Sequence, residues 1–395
     1  MSLLERPHDG GTIAPFEGAV GDRRVALDAF ISPFSSIDTR GIYLFDRGSE
    51  TLMDGQPLGD RGIGPGSLYL SANDAFLVFA SRQPLIPGPN APVKNHAVFW
   101  IEVATGDLAQ VTMSPDVETL DPRVSLDDDL VAYTSFGDPV PGGNPDHSTE
   151  LFLTQLSTGV ISQLSDFSGG FVKGPQMSGD GSRFAFAFQS VDLGMLPELW
   201  FVDRSAGMST LVTSELSKLG FHGKVALDGS GRWIGFVSGA DLVPGENPDG
   251  NDEVFLYDTQ AETFTQVTHT TTGGSSNVIL SADGRRIGFE TTSELVAGDS
   301  FLVGDVPSGP FMPVTPPGFE LFDVSMSADG SAVVLSSLFE LTDQPHLGFG
   351  GVYLVDCGVE TVLDIPTLDS RALMLLALLL AAAGWLVSRR RRLTR

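Results

Sequence analysis

A short pattern returns seven times along the chain, and it limits the possible folds more than any other feature. Val25-Ala26-Leu27-Asp28 recurs as Val225-Ala226-Leu227-Asp228, and related anchors stand at Leu70-Ser71, Val124-Ser125, Met177-Ser178, Leu280-Ser281 and Met326-Ser327. Positions 28, 71, 125, 178, 228, 281 and 327 are spaced by 43 to 54 residues. Self-similarity at that period belongs to repeat architectures, in which one supersecondary unit buries its apolar face only against its neighbours.

Each unit has the same internal order. An apolar residue leads into a turn, written Asp-Gly at Asp180-Gly181, Asp228-Gly229, Asp283-Gly284 and Asp329-Gly330. Asp-Gly favours the positive φ of a tight hairpin. A β-rich run follows, such as Arg183-Phe184-Ala185-Phe186-Ala187-Phe188 or Trp233-Ile234-Gly235-Phe236-Val237. A variable loop leads to a strand ending in acid, as in Leu199-Trp200-Phe201-Val202-Asp203 and Val254-Phe255-Leu256-Tyr257-Asp258. A further strand, such as Phe264-Thr265-Gln266-Val267-Thr268, closes the unit. With the strand before each anchor this makes four antiparallel strands per unit. No helical period of useful length appears before Ala372. The expected fold is therefore all-β: a propeller of about seven four-stranded blades over residues 23–364, after an N-terminal segment 1–22. The serine-x-Asp-Gly turn followed by strands such as Val-Phe-Leu-Tyr-Asp resembles the TolB-like, PD40-type propeller repeats. That resemblance speaks for the fold and leaves function open.

Composition agrees. Gly and Pro number 46 and 25 of 395 residues, and charged residues are 18%. The chain is too apolar for disorder and too rich in turn formers for a helical bundle. Its net charge is −27, and residues 1–364 alone carry −32. Nucleic-acid binding needs a basic footprint, so that class is excluded.

The C-terminus reads differently. Ala372 to Val387 is a run of 16 uncharged, mostly apolar residues, followed by Ser388 and the cluster Arg389, Arg390, Arg391 and Arg392. As a helix it spans about 24 Å, short of a bilayer core of about 30 Å. Snorkelling of Arg371 and Arg389 and an interfacial Trp385 make up the difference. The arginines orient such a helix with residues 1–364 outside the cytoplasm. Ile365, Pro366, Thr367 and Leu368 stand just before it. The order of motif, apolar helix and Arg cluster over residues 365–395 resembles the IPTL-CTERM sorting domain of Gram-negative bacteria, with Arg371-Ala372 where that family usually has Trp-Gly. The resemblance implies an inner-membrane precursor processed by an exosortase-type enzyme and a propeller bound for the cell surface or for secretion. Met1 to Asp22 has no basic start and no apolar run of signal-peptide length, so an exported body is expected to have its start upstream.

Catalytic motifs are scarce. The six histidines include no i, i+4 pair and no His-Glu-x-x-His, and no Gly-x-Ser-x-Gly elbow occurs. One cysteine, Cys357, permits neither an intrachain disulfide nor a cysteine zinc site. Gly62, Gly64 and Gly66 precede no helix and make no phosphate cradle. Arg23-Arg24 and Arg285-Arg286 read as solvated strand edges. Two oxygen-rich loops stand out. One carries Asp241, Glu246, Asp249, Asn251 and Asp252; the other, Asp138 to Glu150, holds the same place two units earlier. Such oxygen ligands suit calcium, although the spacing is not that of an EF-hand, and Asx-turns explain the same residues. No other cofactor is expected. The reading is of a non-enzymatic surface module that binds an unidentified ligand or protein. A hydrolase or lyase using the propeller channel, and a periplasmic assembly factor resembling TolB, are the alternatives.

Overall fold

The computed structural model describes residues 2–3, 12–21, 24–32, 39–47, 51–57, 63–71, 73–337 and 351–357, apart from 90, 93, 114–116, 193–194, 218–224, 297 and 319–320. The expected tail elements at Ile365–Leu368, 372–387 and Arg389–Arg392 lie outside these residues. No helix among the described residues is long and apolar enough to cross a membrane.

All regular structure is β, arranged as a propeller of four-stranded antiparallel sheets. Six sheets are each built from four consecutive strands. Their inner strands are Thr12–Val20, Ile63–Leu70, Thr119–Val124, Gly170–Met177, Ala226–Leu227 and Ser275–Leu280. The expectation of about seven four-stranded blades is thereby corrected to six blades built from consecutive strands. The register at Ser327 supplies only three strands, Leu321–Met326, Ala332–Ser337 and Gly351–Asp356. The fourth strand of that sheet is Ser2–Leu3, paired Ser2↔Leu354 and Leu3↔Tyr353. Residues read from sequence as an N-terminal segment thus contribute one strand here and the inner strand of the first sheet.

The strand pattern explains how the sheets stack. Side chains alternate faces along a strand. In the Phe-Ala-Phe-Ala-Phe run of the fourth sheet, Phe184, Phe186 and Phe188 fill the seam with the third sheet beside Leu151 and Leu153. Ala185 and Ala187, on the other face, let Phe236 and Phe255 of the fifth sheet approach. Hydrophobic clusters of this kind fill the seams between consecutive sheets from the first to the seventh. The core is a set of radial walls, and the inner strands are left around an axial cavity.

Candidate functional site

The two faces of the propeller differ in construction. On one, the inner strand turns directly into the second strand, and the repeated anchor sits in that turn. Ser178 is fully buried. Its hydroxyl donates to Asp180 at 2.6 Å and accepts the Arg183 backbone N–H at 2.9 Å. Ser71, Ser125, Ser281 and Ser327 accept the equivalent N–H five residues on. In the fifth sheet the roles are exchanged: Asp228 accepts the Trp233 N–H at 2.7 Å and the Ser230 hydroxyl. Positive φ falls three residues after each of these anchors, at Asp74, Asp128, Gly181, Gly231, Gly284 and Gly330. The Asp228-Gly229 hairpin read from sequence is therefore corrected, since the left-handed residue there is Gly231. Gly229 is needed for another reason: a Cβ on it would meet the Ala282 carbonyl oxygen at 2.7 Å.

That close approach belongs to a chain of backbone bonds around the rim. Leu126 N–H donates to Gly179 O, Gly179 to Gly229, Gly229 to Ala282, and Asp283 to Ala328, all at 2.7–2.9 Å. Asn73 Nδ2 extends the series by donating to Leu126 O at 3.2 Å. This turn face is tied from sheet to sheet by backbone bonds.

The opposite face carries the longer connections between second and third strands, and its carboxylates organise them. Asp138 accepts the N–H groups of Gly142, Gly143 and Asn144 at 2.7–3.0 Å. Asp241 does the same for Gly245, Glu246 and Asn247 at 2.7–3.1 Å. Backbone donors hold both carboxyls below the usual range, those of Gly142 and Gly245 first. Asn144 and Asn247 then close the loops: Asn144 Nδ2 donates to Gly137 O and Ser148 O, and Asn247 Nδ2 to Asn251 O. Asp252 accepts the Ser217 hydroxyl, and Asn251 Nδ2 donates to Thr270 Oγ1 at 2.7 Å. The five residues read as a cation set, Asp241, Glu246, Asp249, Asn251 and Asp252, thus share one loop, and at least three of them make contacts that shape it. Among the described residues no three of His, Cys, Asp or Glu are grouped to hold a metal.

The sequence counted the acids at the ends of these loops among possible oxygen ligands, and the structure gives them a different role. Glu150 and Glu253, both buried, open the third strands of their sheets. Glu150 accepts the Ser148 hydroxyl at 2.9 Å, the Phe167 N–H at 2.6 Å and the Ser165 hydroxyl. Burial raises the Glu150 carboxyl in spite of these donors. Glu253 accepts the Thr270 N–H and hydroxyl, each at 2.6 Å, and the Thr268 hydroxyl. Their matching place in two repeats was the available signal. Elsewhere on this face, Glu294 accepts N–H and hydroxyl groups from Thr271 and Thr272, which bring its carboxyl down to about 2. Glu118 accepts His96 Nδ1 at 2.5 Å and the His96 backbone N–H at 3.0 Å, with Arg82 at 3.5 Å. Burial raises the Glu118 carboxyl, but the His96 contacts and Arg82 outweigh it and hold the group low. Phe171, Val191, Met195 and Leu196 are exposed apolar side chains at the loop-face end of the fourth sheet. Phe136 meets Phe171 edge-on there, 6.3 Å between centroids.

The arginine pairs divide between two roles. Arg285 is solvated, whereas Arg286 lies 3.2 Å from Asp305 across the strand pair. Arg183–Asp203 and Arg232–Asp258 repeat that pairing at 3.1 and 2.7 Å. It explains the acid at the end of the third strands, where Asp203 and Asp258 also accept N–H groups of the following turn.

An axial cavity of about 190 Å³ is lined by inner-strand residues of all seven sheets. Its wall is apolar except for a few groups, among them Tyr69, Arg123, Gln176 and Asp323. Among the described residues lining it, no nucleophile, base and orienting group are brought together.

Sequence comparison finds no matching protein family and no matching curated protein. Solved structures match as folds. An oligogalacturonate lyase from Vibrio parahaemolyticus is 11% identical over 90% of this chain and 92% of its own, with a TM-score of 0.59. The β-propeller domain of the Trilobed protease from Pyrococcus furiosus is 10% identical over 88% and 96%, with a TM-score of 0.58. TolB from Acinetobacter baumannii is 18% identical over 82% and 77%, with a TM-score of 0.46. At these identities the likeness is one of fold.

Proposed function

We propose that the chain is a non-enzymatic binding module that engages a partner through the loop face of its propeller. The observation that carries this is how that face uses its acids. Asp138, Asp241, Glu150, Glu253 and Glu294 are taken up in fixing loops, so among the described residues these acids order the face in advance. Pre-ordered loops lower the entropy cost of association. The apolar group Phe171, Val191, Met195 and Leu196 supplies the surface that a protein partner would cover. The tail extends the proposal to the cell. Ile365 to Leu368 would be read by an exosortase-type enzyme, residues 372–387 would span the inner membrane, and Arg389 to Arg392 would face the cytoplasm. The propeller would then reach the surface or the medium.

The test is co-purification from native-host envelopes. A specific partner retained by the unaltered chain and lost in Phe171→Glu supports the reading. Equal retention by a well-folded Phe171→Glu contradicts it. Mass spectrometry of C-terminal peptides tests the tail: a terminus near Ile365–Arg371 supports processing, and an intact Arg395 contradicts it.

The fold likeness to oligogalacturonate lyase, one structure of which is a complex with manganese, motivates a second reading as a lyase. Unsaturated products from oligogalacturonate incubated with the protein and manganese would favour it over the binding module.

A further inference from the structure

We propose that the axial cavity is a binding site for a small monocarboxylate with an apolar body, and that Arg123 is the group that holds its carboxylate. The proposal goes beyond the loop-face reading and stands independently of it. Residues 1–364 carry a net charge of −32, yet Arg123, which lines this cavity, forms no ion pair with a carboxylate among the described residues. Arg183, Arg232 and Arg286 are all paired across strands. The Arg123 guanidinium instead donates to the Pro122 carbonyl at 2.8 Å and lies 5.4 Å from the centre of the Tyr69 ring. Its Nε is buried with no hydrogen-bond partner among the described residues, so a ligand in the cavity would meet the terminal nitrogens. A guanidinium fits a carboxylate with two parallel bonds.

The surroundings define the rest of the ligand. Tyr69 and Gln176 occupy the same repeat position as Arg123, two residues before their anchors. Burial pushes the Tyr69 phenol up more than the nearby Arg123 lowers it, so its hydroxyl stays a donor. Val124, Met177, Leu227 and Leu280 give the wall an apolar surface for the ligand body. At about 190 Å³ the space is below the roughly 300–1,000 Å³ of sites for drug-sized ligands. Asp323, on the inner strand of the seventh sheet, lines the same cavity and disfavours a second negative charge.

The probe is isovalerate, titrated calorimetrically into the full chain beside its neutral counterpart isovaleramide. Isovalerate is expected to bind and raise the melting temperature, with isovaleramide about tenfold weaker or more. Arg123→Met should weaken isovalerate to the level of the amide while the protein still melts cooperatively, and Arg123→Lys, which keeps charge but not the fork, should fall between. Absence of heat and of any melting shift with isovalerate overturns the proposal. So does unchanged binding in a folded Arg123→Met. If that variant does not fold, equal affinity of the unaltered chain for acid and amide overturns it.

Discussion

Ser178 holds its turn by two bonds, and the loss of either is costly inside a buried bend. Ser178→Ala leaves the Arg183 N–H without its acceptor and removes one of the donors to Asp180, which keeps those of Ser182. Urea unfolding should show about 1–3 kcal/mol lost, the cost of unmet buried polar groups. Glu294 gives a pH-dependent counterpart. Its carboxyl falls from the ordinary 4.5 to about 2 through the Thr271 and Thr272 donors. A depressed acid stabilises the fold above its unfolded value, and that contribution disappears as pH falls through the folded one. Melting temperatures of the unaltered chain and Glu294→Gln should therefore differ near neutral pH and converge between pH 4.5 and about 2.

At the scale of elements, the Phe-Ala alternation of Arg183–Ser190 sets two seams at once. Phe186 is fully buried in the seam with the third sheet. Phe186→Ala should cost about 3–5 kcal/mol, and Ala187→Leu, which overfills the opposite seam, about 1–3 kcal/mol, both measurable by denaturant titration. These elements were legible in the sequence because strand period and seam chemistry are local. The anchors were legible too, since serine, Asp and Gly recur at fixed offsets in one turn. The exchange at Asp228 and Ser230 was hidden because Asp228-Gly229 has the same two letters as a true hairpin site. The Arg286–Asp305 pair was hidden because its partners are 19 residues apart in the chain and adjacent only after the strands pair.

For the whole molecule, the propeller followed from the repeat, but its last sheet did not. Nothing at Ser2–Leu3 marks it as the partner of Gly351–Asp356, because two residues carry no period and the pairing joins opposite ends of the chain. The axial cavity was equally unreadable: Tyr69, Arg123 and Gln176 share a repeat position, but only closure of the ring sets them around one space. The proposed function rests at this scale on the different construction of the two faces, the turn face tied by backbone bonds from sheet to sheet and the loop face built from carboxylate-fixed loops. The most direct test is site-specific photo-cross-linking in the native host, with the reactive group at Val191 on the loop face or at Met208 at the turn-face end of an outer strand. Both positions are 55–57% exposed, so access is matched. A discrete cross-linked partner from Val191 and none from Met208 is the predicted result. Equal capture at both positions, or none at Val191, would contradict the loop face as the binding surface.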